Sequence, residues 1–273
     1  MYNLRQIPSE RQIIKLVRRI LWPKRLHCPW CASQKVHKSE HRYRCKKCRK
    51  PFSLTSHSWL KGMKLEWEEW YLILWCWCHK YPVEKTVELS RKSMPTIRFW
   101  YAKFRDNLPD SVKIRLCGDI QADEAFYGGK HGMAILGAKQ IAKKGKQAKI
   151  ALQVLPTTNV NRHHIIEFLV EHVKPFESTY HTDGAAIYRG IGKWYPIGHK
   201  REIHSKFEFA ITSEIEGLWG NLKTFIRRMY HHVWIKTLPK IVSEFCWRFS
   251  EPEMFRYPHL YLQKSLSLVP TCF

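Results

Sequence analysis

The sequence predicts an α/β fold, a mixed sheet flanked by helices, preceded by a small metal-held ribbon and a helical region. Three observations predict it. Two C-x-x-C pairs lie close together near the N-terminus, strand-like and helix-like stretches mix after residue 112, and 47 Lys and Arg stand against 23 Asp and Glu, a formal net charge of +24 on 273 residues. An excess of that size opposes compaction unless a polyanion is near, which points to nucleic acid or an anionic membrane surface rather than a small acidic metabolite. Apolar residues at 44% and aromatics at 14% suffice for a packed core and exclude a disordered basic tail. The longest apolar run, Trp70 to Cys78, is nine residues, far short of a bilayer span, and the start MYNLRQIPSERQ is polar. An intracellular, cytoplasmic protein with reduced thiols is therefore expected.

Residues 8–20 read as a basic amphipathic helix, with Ile13, Ile14, Val17 and Ile20 on one stripe and Arg11, Lys15, Arg18 and Arg19 around it. It serves either as a packing helix or as a DNA contact, and the first module is set at 1–22. The next, 23–56, holds Cys28-Pro-Trp-Cys31 and Cys45-Lys-Lys-Cys48 with thirteen residues between the pairs. Two cysteines three positions apart can turn both sulfurs toward one point, and two such knuckles supply the four thiolates of a tetrahedral zinc site. A redox C-x-x-C would occur once and in a βαβ setting, so structural zinc is the expectation. So small a segment buries too little apolar area to fold alone, and the metal would supply the folding free energy. The intervening residues, His37, His41 and Tyr43 among them, would form the hairpin of a zinc ribbon. Its lysines and arginines suit a nucleic-acid contact.

Residues 57–110 form the helical region. EWEEWYLILWCWCH (66–79) is apolar at helical spacing, and PVEKTVELSRK and MPTIRFWYAKFRDNL suggest two more helices arranged as a helix-turn-helix, the second bearing Arg98, Lys103 and Arg105. Cys76 and Cys78 are read as small buried hydrophobes, not ligands.

The last region, 111–273, is predicted to hold the mixed sheet. Ile114–Phe126 alternates and ends at Gly128-Gly129; 149–155 is a continuous apolar run; Ile165, Ile166, Leu169, Val170 and Val173 make a helical stripe stopped before Pro175. Residues 178–182 form a short strand cut by Asp183-Gly184. A helix then carries Ile211, Ile215, Leu218, Leu222, Phe225 and Met229.

In so basic a chain the acids invite attention. Asp123 lies in a strand, sharing a face with Asp119 and Gln121; Asp183 ends a second strand; Glu216 sits in the first turn of the last helix. Asp183-Gly184 also suits a turn, and Glu216 suits a capping box with Ser213. A carboxylate inside a strand is harder to explain without a partner or a metal. If the three converge, they cannot all stay ionised without a cation, and hard oxygen ligands select Mg²⁺ or Mn²⁺.

DEAFYGGK (123–130), HTDG (181–184), IEGLWGNLK (215–223) and YHHV (230–233), behind a two-knuckle ribbon, resemble bacterial insertion-sequence transposases of the zinc-ribbon, ISXO-like and Merlin-related type. The resemblance runs from the ribbon through WRFS at 247–250. It implies an RNase H-like catalytic domain and a DDE triad of Asp123, Asp183 and Glu216, with 59 and 32 residues between them, holding two Mg²⁺ or Mn²⁺. Lys223 matches the basic residue that follows the glutamate and is a candidate phosphate contact, with a solvated helix lysine as the alternative. Glu214 competes with Glu216 as third acid, and His231 and His232 are candidate positioning residues. Ala125-Phe126 and Arg228 depart from the family's usual residues.

The implied activity is Mg-dependent phosphodiester cleavage and strand transfer on double-stranded DNA, element ends and target, by at least a homodimer, since two ends must be joined. A non-catalytic zinc-ribbon DNA-binding or regulatory protein and an RNase H-like nuclease without strand transfer remain as alternatives.

Overall fold

The computed structural model describes residues 7–39, 42–109, 115–129, 132–142, 147–201 and 213–268; His41, Ile114, Lys130 and Ile211 of the sequence reading lie outside them. The chain divides into two compact units, Met1–Pro109 with Glu253–Phe273, and Asp110–Pro252.

In the first unit, α1 (Glu10–Leu21) buries Ile13, Val17 and Leu21, one per turn, and leaves its arginines and Lys15 exposed. Ser9 and Gln12 cap its start, the Ser9 N–H donating to Gln12 Oε1 at 2.9 Å. The ribbon is a three-stranded antiparallel sheet in the order β1 (Val36–Ser39), β2 (Arg42–Cys45), β3 (Pro51–Phe52), with Val36 opposite Cys45. The helical region has α2 (Trp67–Cys78), α3 (Val83–Ser90) and α4 (Met94–Asp106). A three-residue turn joins the last two helices and begins at Arg91, whose left-handed φ of 54° ends α3. Eight of the twelve residues of α2 are buried, Cys76 and Cys78 among them. Burial pushes the Cys76 thiol up to about 11, which keeps it protonated and inert.

In the second unit a five-stranded sheet runs in the order β6 (Ile150–Leu155), β5 (Met133–Gln140), β4 (Leu116–Tyr127), β7 (Val173–Thr182), β8 (Gly198–Arg201). The first three are antiparallel neighbours; β4, β7 and β8 are parallel. Of its helices, α5 (Arg162–His172) precedes β7, while α6 (Ser213–Tyr230) and α7 (Leu238–Ser250) follow the sheet. Side chains alternate across a strand. Accordingly, Ile120 and Ala122 pack with Ile165, Phe168 and Leu169 of α5, whereas Gln121 and Asp123 meet α6 on the other face. The end of α6 is tied to α7 by the buried Glu244, which accepts from the Tyr230 hydroxyl and, at 2.7 Å, from Arg248 Nε.

Three elements of this unit escape the periodicity: β5, β8 and α7. The first is a central strand with low β propensity, because it contains Ala134, Gly137 and Ala138. Its glycine is dictated by a neighbour: a Cβ on Gly137 would lie 2.4 Å from the Trp219 indole of α6.

The chain then returns to the first unit as α8 (Pro258–Ser265). A single region over 111–273 was the sequence expectation, and the structure differs at this end for a packing reason. Tyr261 and Leu262 are fully buried; Tyr261 stacks edge-on at 5.1 Å against Trp77, and its hydroxyl donates to the Phe104 carbonyl at 2.7 Å. Trp59 Nε1 donates to the Ser265 carbonyl at 3.0 Å, so the aromatic core of α2 and α4 is completed by the last helix.

Candidate metal centre and acidic site

Cys28, Cys31, Cys45 and Cys48 converge, their sulfurs all within 4.8 Å of one another. The two knuckles are built alike. The Ala32 N–H donates to the Cys28 carbonyl and the Arg49 N–H to the Cys45 carbonyl, at 2.9 and 3.0 Å, and both Ala32 and Arg49 take left-handed φ values, 56° and 62°. Such conformations cost free energy in non-glycine residues and persist where the surroundings impose them. The Cys28–Cys48 and Cys31–Cys45 sulfurs are each 3.6 Å apart, much longer than a disulfide. Tetrahedral Zn–S bonds of about 2.3 Å put sulfurs roughly 3.8 Å apart, so the cluster fits zinc. The N–H groups of Cys48 and Lys47 point at the Cys45 sulfur, at 3.5 and 3.3 Å, and bring that thiol down to about 6, whereas burial drives Cys28 up to about 12. One knuckle offers a ready thiolate and the other must be deprotonated by the metal.

The acids are assembled over a longer stretch of sequence. Asp123 is half-buried on β4, opposite Gly137 of β5. Trp219 lies over that glycine and donates its indole N–H to Asp123 Oδ2 at 3.0 Å. Two residues earlier, Gln121 Oε1 accepts the Ile215 N–H at 3.0 Å, fastening the first turn of α6 to the same strand. Glu216 is exposed on that turn, three residues before Trp219. The parallel ladder between β4 and β7 ends at Gln121 opposite His181, so each strand reaches its aspartate, Asp123 or Asp183, two residues beyond the last pair. Asp183 Oδ1 also accepts the Ala185 N–H at 3.0 Å, so the turn role anticipated for Asp183-Gly184 is present too.

Burial raises the Asp123 carboxyl above the ordinary range, and the charges of Asp183 and Glu216 raise it further while the Trp219 hydrogen bond opposes them. Both acids thus lie within electrostatic reach of Asp123. Glu124, on the opposite face of β4, is raised by burial and by Asp123 and Asp183, and accepts from the Tyr188 hydroxyl. Glu214 is turned away into an ion pair with Lys139 of β5. Among the described residues, the four cysteines are the one group of His, Cys, Asp or Glu donors gathered within 4.8 Å; the acids are near enough to feel one another but not that close. Lys223 is exposed on α6, two turns beyond Glu216. His231 and His232 follow the end of that helix, both exposed.

Sequence reasoning missed two participants, Trp219 and Glu124. Trp219 had a signal, a tryptophan three residues after an acid on a predicted helix; Glu124 had one in the adjacent acid of the Asp-Glu pair.

Residues 115–250 match the ISXO2-like transposase domain, and residues 8–51 match the transposase zinc-ribbon domain. No curated protein matches the chain. Among solved structures, a chain of the simian T-cell lymphotropic virus intasome in complex with PP2A regulatory subunit B56 gamma is similar at 8% identity and a TM-score of 0.36, over 65% of this chain and 67% of that one.

Proposed function

The chain belongs to the ISXO2-like transposase family, with a transposase zinc ribbon ahead of its transposase domain, and on that premise we propose that it cuts and joins double-stranded DNA with Asp123, Asp183 and Glu216 as its reacting centre. The reading is carried by one observation: the first turn of α6, which bears Glu216, is fastened to β4 beside the half-buried Asp123 by the Gln121–Ile215 and Trp219–Asp123 hydrogen bonds, each 3.0 Å. Three carboxylates so placed offer hard oxygen donors on two strands and a helix, and their mutual repulsion is what a divalent cation would relieve, so the residues suit Mg²⁺ or Mn²⁺. Asp123, Asp183 and Glu216 would hold two such ions, which would supply activation of the attacking oxygen and charge stabilisation of the leaving one.

The chain's own groups supply the rest. Trp219 orients Asp123, Gln121 holds the first turn of α6, which bears Glu216, against the strand, and Lys139 keeps Glu214 out of the site. Water attacks the phosphodiester at the element end, the bond from phosphorus to the 3′ oxygen breaks, and a 5′-phosphate and a 3′-hydroxyl result. That hydroxyl then attacks a target phosphodiester, displacing its 3′ oxygen, with no covalent enzyme intermediate. Lys223, on the same helix as Glu216, contacts a phosphate.

End binding falls to the first unit. A cleft of about 430 Å³ between α1 and the ribbon is lined by Arg11, Lys15, Arg18 and Lys38 and, among the described residues, by no acid. Zinc in the ribbon is structural, the working form is at least a homodimer on DNA, and the protein acts in the cytoplasm at the nucleoid. None of the helices described is long and apolar enough to cross a membrane.

Asp123→Ala decides the matter. It is expected to abolish Mg-dependent cleavage of a duplex carrying the element end while leaving affinity for that duplex unchanged. A wild-type protein that binds but never cleaves would make the chain a DNA-binding regulator, and cleavage with no joining to target DNA would make it a nuclease.

A further inference from the structure

Between Glu216 and Glu244 the sequence has no acidic residue, but it has Lys223, Arg227, Arg228, Lys236 and Lys240. Midway along this stretch the chain leaves α6 and crosses the end of β4. His231 turns it with a left-handed φ of 54°. The Val233 carbonyl then accepts the hydroxyl of Tyr127 at 3.2 Å, and Ile235 packs against Gly128, where an added Cβ would lie 3.2 Å from its side chain. The Trp234 carbonyl accepts from the Thr237 N–H, the Thr237 hydroxyl and the Leu238 N–H, at 2.8, 2.9 and 3.1 Å. The backbone of Trp234 is thus held on both sides, yet its indole is 76% exposed, with the His232 ring edge-on at 6.0 Å. A flat aromatic surface on a fixed backbone, in a stretch of sequence that carries five cations and no acid, is the chemistry that holds an unstacked nucleobase beside its phosphates.

Its position gives it a use. The β7 ladder stops at Gln121, so among the described residues the stretch from Ala122 to Tyr127 pairs with β5 alone and forms an edge of the ladder, where Tyr188 donates to Glu124. Asp123 lies at the start of that edge, and Tyr127, which pins the tryptophan segment, at its end. Four strand residues span about 13 Å, or roughly two to four nucleotides depending on whether the strand is extended or stacked at 3.4 Å.

We propose that Trp234, with His232 beside it, is a stacking platform for an unpaired base two to four nucleotides from the phosphate that is cut. The platform, which rests on the reading of Asp123 as the reacting centre, adds local strand separation to the substrate: the bases flanking the cut leave the duplex and one lies on the indole.

The test uses the full zinc-loaded chain without divalent ions and two fluorescent DNA probes, a fully paired duplex and the same duplex with four unpaired thymines around the cleavage position. Wild type is expected to prefer the unpaired probe about tenfold and to change the fluorescence of a 2-aminopurine placed in the unpaired segment. Trp234→Ala should lose the preference and that signal while binding the paired duplex as wild type does; Trp234→Phe should keep both. One zinc per chain and an unchanged melting temperature certify folding, and the 2-aminopurine signal of wild type tests the platform without any variant. No preference in wild type, or one that survives Trp234→Ala, overturns it. If Asp123→Ala abolishes cleavage while Trp234→Ala binds both probes like wild type, the platform alone fails. If wild type stacks the base but never cleaves, the platform stands and the acids lose their role.

Discussion

The ribbon cysteines and the acids of the second unit are both sets of metal-type donors, and the fold brings them to different degrees of closeness. The four sulfurs lie within 4.8 Å of one another, while Asp123, Asp183 and Glu216 are not gathered into such a cluster. The difference is one of span. The cysteines sit on two knuckles of the same form within twenty-one residues, so local backbone geometry sets their sulfurs together. The acids come from two strands and a helix, and carboxylates brought together repel, which costs free energy that a cation would offset. The ribbon is built locally. The acidic site is assembled at long range and braced by Trp219 and Gln121.

The sharpest way to break that contrast is Cys31→Ser. Loss of one thiolate should empty the site and unfold the ribbon, because structural zinc supplies on the order of 10 kcal/mol to a module this small. Zinc content is expected to fall from one per chain to none, with protease cleavage appearing between residues 23 and 56. Retention of one zinc would make the cysteine cluster dispensable.

Removing a brace should be milder. Trp219→Phe keeps most of the packing against Gly137 but deletes the hydrogen bond to Asp123, and orienting groups of this kind are worth about 10- to 100-fold in activity. Cleavage rate should drop within that range, with the melting temperature little changed. An unaltered rate would show that the indole N–H does not position the acid.

Gly137→Ala probes the same brace sterically. Its new methyl would meet the indole at 2.4 Å, and overpacking of this sort costs about 1–3 kcal/mol, readable as a fall of several degrees in melting temperature. No fall would mean that α6 can lift from β5 freely.

The smallest effect is on pH. Asp123 is raised in the folded protein, so below its unfolded-state pKa, near 4, it is protonated in both states and contributes nothing. As pH climbs through the higher folded-state value, its charge increasingly destabilises the fold. Without divalent ions, Asp123→Asn should therefore melt with wild type near pH 4 and increasingly above it as pH rises; Mg²⁺ should raise wild type alone. A difference independent of pH would remove charge crowding as the cause.

How much was legible follows from range. The helices α1, α2, α3 and α4 and the strands β4 and β6 were visible because apolar spacing reports directly on one buried face. The strand β5 was not, since its Gly137 is required by Trp219, more than eighty residues away in sequence, and its Ala134 and Ala138 pack in the core with α5. The same distance hid the choice between Glu214 and Glu216: both occupy the first turn of α6, and only the ion pair of Glu214 with Lys139 separates them.

By itself, then, the amino-acid order determined the ribbon. All four of its ligands fall within twenty-one residues, and local knuckle geometry does the rest. It also determined the cationic character of the whole chain and the identity of the acids worth watching. Tertiary structure alone decided that Gln121 stands opposite His181, each two residues before an aspartate, that Glu214 is taken up by Lys139, and that Val233, next to Trp234, is pinned by Tyr127 at the end of β4. Those outcomes depend on strand register and helix docking, which arise from contacts between residues far apart in sequence and leave no local periodicity to read.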